Sequence, residues 1–90
     1  KLVPANGVYA VYVIVNDVQY KGVLSIGTRP TFDNGARSVE VNIFDFDRDI
    51  YGENVKLIFK NYLRSDQKFD GVEALVAQMH RDKARSLELL

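Results

Sequence analysis

Apolar residues fill consecutive positions 8–15, VYAVYVIV, between Asn6-Gly7 and Asn16-Asp17. Asn, Asp and Gly tolerate positive φ, so both flanks read as turns, and the β-branched and aromatic run between them predicts a strand buried on both faces or nearly so. Val18–Ile26, VQYKGVLSI, follows at hairpin distance and alternates as an antiparallel partner should, with Gly22 marking a bulge or a close backbone approach. The alternation predicts a third strand over Ser38–Phe46 and a fourth over Asn54–Leu63, where VKLIF changes face at every residue.

After Phe69 the period becomes helical. Asp70-Gly71-Val72-Glu73 has the spacing of a capping box, and Val72, Leu75, Val76 and Met79 follow as an apolar stripe, continued by Ala84, Leu87 and Leu90. Asp82 and Arg85 are spaced for an i,i+3 pair on that helix. Four strands and one terminal helix imply an antiparallel all-β body with the helix packed beside or beneath it. Small sheets of this kind usually close into a barrel, because open edges invite aggregation.

Composition narrows the function. Ninety residues make one domain, and without cysteine there are no disulfides or thiolate metal sites to support its core. Twelve basic residues balance twelve acidic ones and are scattered along the chain, so there is no field or stripe to recruit nucleic acid. No apolar run approaches the ~20 residues that span a bilayer, and KLVPANG is not a signal-peptide start; the expectation is a soluble cytoplasmic domain with no membrane partner.

Several segments are candidates for chemistry. Glu40 lies in VEVNIF on the face of Asn42, Phe44 and Phe46, opposite Val39, Val41 and Ile43, where it is either a solvated strand carboxylate or a positioned proton acceptor. The Gly27-Thr28-Arg29-Pro30-Thr31-Phe32 loop is stiffened by Pro30, and Arg29 in it reads first as a surface arginine. Asp45, Asp47, Asp49 and Glu53 crowd together, yet their order lacks the sixth-position Gly and twelfth-position Glu of an EF-hand, so a solvated turn is the simpler reading. Tyr62-Leu63-Arg64 and Lys68-Phe69 bring aromatics and cations between the last strand and the helix, as core seals or as a frame for a planar ligand. His80 has no second ligand at metal spacing and reads as a surface residue.

GTRPTFDNGARSVEVNIFDFDRDIYG at 27–52, together with GVYAV at 7–11 and YLRSDQKFD at 62–70, closely resembles the riboflavin kinase domain of bacterial bifunctional FAD synthetases (riboflavin kinase/FMN adenylyltransferases). The resemblance runs nearly the whole length. It implies a mainly β fold, an antiparallel Greek-key barrel with a C-terminal helix. It implies transfer of the ATP γ-phosphate to the 5′-hydroxyl of riboflavin, giving FMN, with Mg²⁺. In that family the Glu of E-x-[HN]-[IL] resembles the general base, and Glu40 stands in E-V-N-I here. The same matching places Asn42, Asp49, Tyr51 and Gly52 on the nucleotide side, with D-x-Y-G as a flap, and Arg64, Lys68 and Phe69 on the flavin side. A preceding nucleotidyltransferase domain is the implied partner.

The family's P-T-A-N segment, which resembles a ligand set for Mg²⁺ and the ATP phosphates, precedes the GVYAV strand and does not occur in these residues, nor does any G-x-x-x-x-G-K-[ST] loop. The expectation is therefore a single domain over 1–90 that is truncated at its N-terminus, forms an incomplete barrel, holds no metal of its own and is inactive by itself. The alternatives are a non-catalytic flavin- or nucleotide-binding barrel and an interaction module using an open strand edge.

Overall fold

A computed structural model describes residues 4–28, 37–47 and 52–90. Strands β1 (Gly7–Val15), β2 (Val18–Thr28), β3 (Arg37–Ile43) and β4 (Val55–Arg64) precede one helix, α1 (Val72–Leu89). All neighbours are antiparallel and the spatial order is β3-β2-β1-β4, so β4 returns to lie beside the first strand in the manner of a Greek key. Among the described residues the sheet is not closed into a barrel.

The β1–β2 hairpin turns on Asn16 (φ 49°) and Asp17 (φ 70°), the pair of positive dihedrals that a two-residue type I′ loop requires. Asn16 also donates from Nδ2 to Glu53 Oε1 at 2.8 Å, so this turn and the approach to β4 hold each other. Because β1 lies between β2 and β4, its residues are covered from both sides: Val8 and Ala10 are buried on one face, Val11, Val13 and Val15 on the other. The second face forms the core with Leu24 and Ile26, and Tyr9, Tyr20, Ile43 and Phe46 pack against it. Its rims are uncovered: Val39 and Val41 on β3, and Val55, Leu57 and Phe59 on β4, are all exposed among the described residues. Pairing between β1 and β4 slips at Val8/Tyr9 and at Ala10/Val11, and such bulges bend a strand and increase its twist.

Four features depart from what the sequence pattern predicts. The third strand ends at Ile43, because Asp45 takes φ 57° in a turn; Phe46 consequently leaves the Glu40 face and meets Tyr20 edge-to-face on the core side at 4.9 Å. No capping box forms: Gly71 is the N-cap in extended conformation, no side chain caps it, and the first helical bond runs from Leu75 N to Gly71 O. The stripe of Val72, Leu75, Val76 and Met79 is exposed, and the buried residues of α1 are Asp82 and Ser86. Asp82 pairs with Arg64 across the fold instead of with Arg85, which bonds Glu88.

Candidate active site

Register places Glu40 opposite Ser25 and Asn42 opposite Val23, all four on the face that α1 crosses. Positions 75, 79, 82 and 86 follow one another at helical spacing, so Leu75, Met79, Asp82 and Ser86 share the sheet-facing side of the helix. Ser86 is fully buried and Asp82 is 6% exposed, whereas Leu75 and Met79 are 40% and 44% exposed. The helix is thus seated through its C-terminal half and stands off the sheet at its N-terminal half.

The gap is a cavity of about 630 Å³. Val23, Ser25, Glu40 and Asn42 form its floor, and Leu75, Met79 and Asp82 form its roof. Val41, Ile43, Phe44 and Phe46 complete the lining, so the cavity wraps the outer edge of β3. Its size falls in the range of about 300–1,000 Å³ usual for small-molecule sites, and its mix of apolar walls with a few carboxylate, amide and hydroxyl groups is the usual lining.

The C-terminal seat is fastened in two places. Tyr12 Oη donates to the Leu90 carbonyl at 2.8 Å. Arg64, at the end of β4, donates from Nε to Asp82 Oδ1 at 2.9 Å and from Nη2 to Oδ2 at 2.8 Å, while Gln78 Nε2 adds a third donor to Oδ1 at 3.0 Å. A buried carboxylate is costly unless paired and hydrogen-bonded, and three donors meet that need. Arg64 Nη1 also donates to the Ser65 carbonyl at 3.1 Å, and its guanidinium stands 5.7 Å from the Phe69 ring centroid.

A family model described as "Flavokinase: Riboflavin kinase" matches residues 1–90. The chain belongs to the riboflavin kinase family. It is 40% identical over 89 residues to the bifunctional riboflavin kinase/FMN adenylyltransferase of Bacillus subtilis, covering 96% of this chain and 28% of that protein. The bifunctional riboflavin kinase/FMN adenylyltransferase of Listeria monocytogenes is 46% identical over 83 residues, covering 91% and 26%. The crystal structure of a macrolide-efflux protein from Streptococcus pneumoniae superposes with a TM-score of 0.85 at 41% identity, over 94% of this chain and 28% of that one. The chain therefore spans little more than a quarter of the length of these relatives.

Within this riboflavin kinase fold, Glu40 and Asn42 come together in the cavity. Arg64 adjoins it through Asp82, Phe69 stacks near Arg64, and Lys68 is exposed on the same segment; none of these three lines the cavity itself. Gly52 has φ 77°, a left-handed conformation that favours glycine. Asp49, Tyr51 and the Arg29-Pro30-Thr31-Phe32 part of the loop lie outside the described residues. Sequence pattern did not mark Gln78 or Ser86, and it set Asp82 beside Arg85 rather than in the cavity wall. The available signal was a carboxylate at position 82 in the sheet-facing stripe, seven residues after Leu75, where an apolar residue is expected.

Proposed function

We propose that this chain is the kinase module that transfers the γ-phosphate of ATP to the 5′-hydroxyl of riboflavin, giving FMN and ADP. The cavity beneath the raised half of α1 carries the reading, because it combines apolar Val23, Leu75 and Met79 with Glu40, Asn42 and Ser25 in a space suited to a flat ring with polar edges. In this mechanism the isoalloxazine enters between the helix and the sheet, and the ribityl chain runs toward Glu40. Glu40 accepts the proton of the 5′-hydroxyl as its oxygen bonds to the γ-phosphorus, the bond from that phosphorus to the β,γ-bridging oxygen breaks, and ADP departs. Asn42, two residues along the same face, orients the reacting groups from the nucleotide side, with Asp49, Tyr51 and Gly52 as its flap. Lys68 and Phe69 border the flavin side.

Among the described residues no group of three or more His, Cys, Asp or Glu could hold a metal ion. Mg²⁺ in phosphoryl-transfer sites takes one or two carboxylates together with substrate phosphates and water, so these residues do not form a protein cage for it and no step here is assigned to it. Mg²⁺ with ATP belongs to the proposal as the family's requirement. Two relatives bear the bifunctional kinase/adenylyltransferase name, which supports an adjoining nucleotidyltransferase domain as partner. No helix among the described residues is long and apolar enough to cross a membrane, and a cytoplasmic setting is part of the same proposal.

Titration of riboflavin with this chain, followed by flavin fluorescence, tests the binding half. Saturable quenching that is abolished by Met79→Lys, which puts a charge into the roof, is the expected result. Equal quenching by the variant would move the flavin out of this cavity.

A further inference from the structure

We propose that Arg64 and Asp82 are positioning residues whose paired side chains set the height of the N-terminal half of α1 above the Glu40 face, and thereby the width of the gap a planar ring must enter.

The helix acts as a lever. The helix is tied to the sheet at its far end by Tyr12 and Leu90, and by the buried Ser86, while its near half reaches over the gap through Leu75 and Met79. Asp82 sits between the two halves. Seven residues separate it from Leu75, about 10 Å of helix at 1.5 Å per residue, so a small rotation about the seated end becomes a large displacement over the cavity. A single tether leaves such a rotation free. The fork of Arg64 Nε and Nη2 on the two Asp82 oxygens opposes it, because a planar guanidinium paired with a planar carboxylate fixes orientation as well as distance. Gln78, one turn before Asp82, fastens the same carboxylate from the helix side. The guanidinium also faces Phe69, so the segment entering α1 is referenced to the same point at the end of β4. Asp82 lines the cavity as well, so loss of Arg64 would both loosen the helix and leave in the wall a carboxylate without its counter-charge, bonded by Gln78. The effect on substrate rests on the riboflavin reading above; the geometric claim does not.

The chain has no cysteine, so spin labels can be placed at Val76→Cys on the raised half and Gln19→Cys on β2, both exposed and neither lining the cavity. The distance distribution between the labels is measured by pulsed electron resonance, and riboflavin affinity by fluorescence, in the wild-type background and with Asp82→Asn or Arg64→Lys. The wild-type background is expected to give one narrow distance. Asp82→Asn should broaden it and weaken riboflavin about tenfold, as when only a tenth of the molecules hold the competent gap. Arg64→Lys keeps the charge without the fork and should fall between the two; it carries the test if circular dichroism shows Asp82→Asn unfolded. A folded variant whose distances stay narrow and unshifted, with only its denaturation midpoint lowered, would overturn the clamp. Broadened distances in a chain whose wild type does not bind riboflavin would uphold the clamp and overturn the riboflavin reading.

Discussion

The carbonyl oxygen of Asn42 lies 2.8 Å from where a Cβ on Gly22 would sit, with Ile43 Cα at 3.5 Å. Both neighbours are backbone, and β3 is held to the sheet through β2. The glycine therefore sets how closely the strand bearing Glu40 and Asn42 approaches the core. Gly22→Ala should push β3 outward and cost about 1–3 kcal/mol, the range of overpacked cores, in urea denaturation. A loss below about 0.5 kcal/mol would show that β3 shifts freely.

Leu75 and Met79 form a roof over space, so stability and binding should separate there. Leu75→Ala is expected to cost less than about 2 kcal/mol, short of a fully buried leucine, because Leu75 keeps 40% of its surface in water, while riboflavin quenching weakens. A loss above about 2 kcal/mol, as for a buried leucine, would mean the gap is closed in solution.

Ser86 is fully buried and its hydroxyl has no hydrogen-bond partner among the described residues. Ser86→Ala should leave stability unchanged or raise it by up to about 1 kcal/mol, since it removes a desolvated polar group without enlarging the side chain. Calorimetry showing a clear loss of melting temperature would reveal a partner for that hydroxyl.

Much of this architecture was legible in the chain. The run at 8–15 announced a strand covered on both faces, Asn16-Asp17 announced the turn, and the change of period after Phe69 announced the helix. Leu75 and Met79 were on the right side of α1, yet periodicity reports direction and not distance, so the gap beneath them left no trace in the pattern. Phe46 was misplaced because alternation assumes a continuing strand and Asp45 ends it with a left-handed residue. The Arg64–Asp82 pair joins positions 18 apart through the turn into α1, and local spacing instead suggested Asp82 with Arg85. Glu40 was legible as a candidate by resemblance, and its companionship with Leu75, Met79 and Asp82 only by folding.

Val39 is 54% exposed on β3, and Leu57 and Phe59 are exposed on β4, on the core-side face of the two outermost strands. Exposed apolar edges recruit strands and dyes. Light scattering should show concentration-dependent association of this chain, with binding of a hydrophobic dye, and Val39→Lys should reduce both. A monomer that binds no dye would show that this face is covered.

The central claim is that Glu40 removes the proton from riboflavin's 5′-hydroxyl. The most direct measurement replaces the matching segment of the Bacillus subtilis bifunctional relative with this chain and follows ATP-dependent FMN formation for Glu40 and for Glu40→Gln. FMN production is expected from the first, and a kcat lower by about 10²–10⁴ from the second with riboflavin binding retained. Equal kcat for the two would contradict the claim.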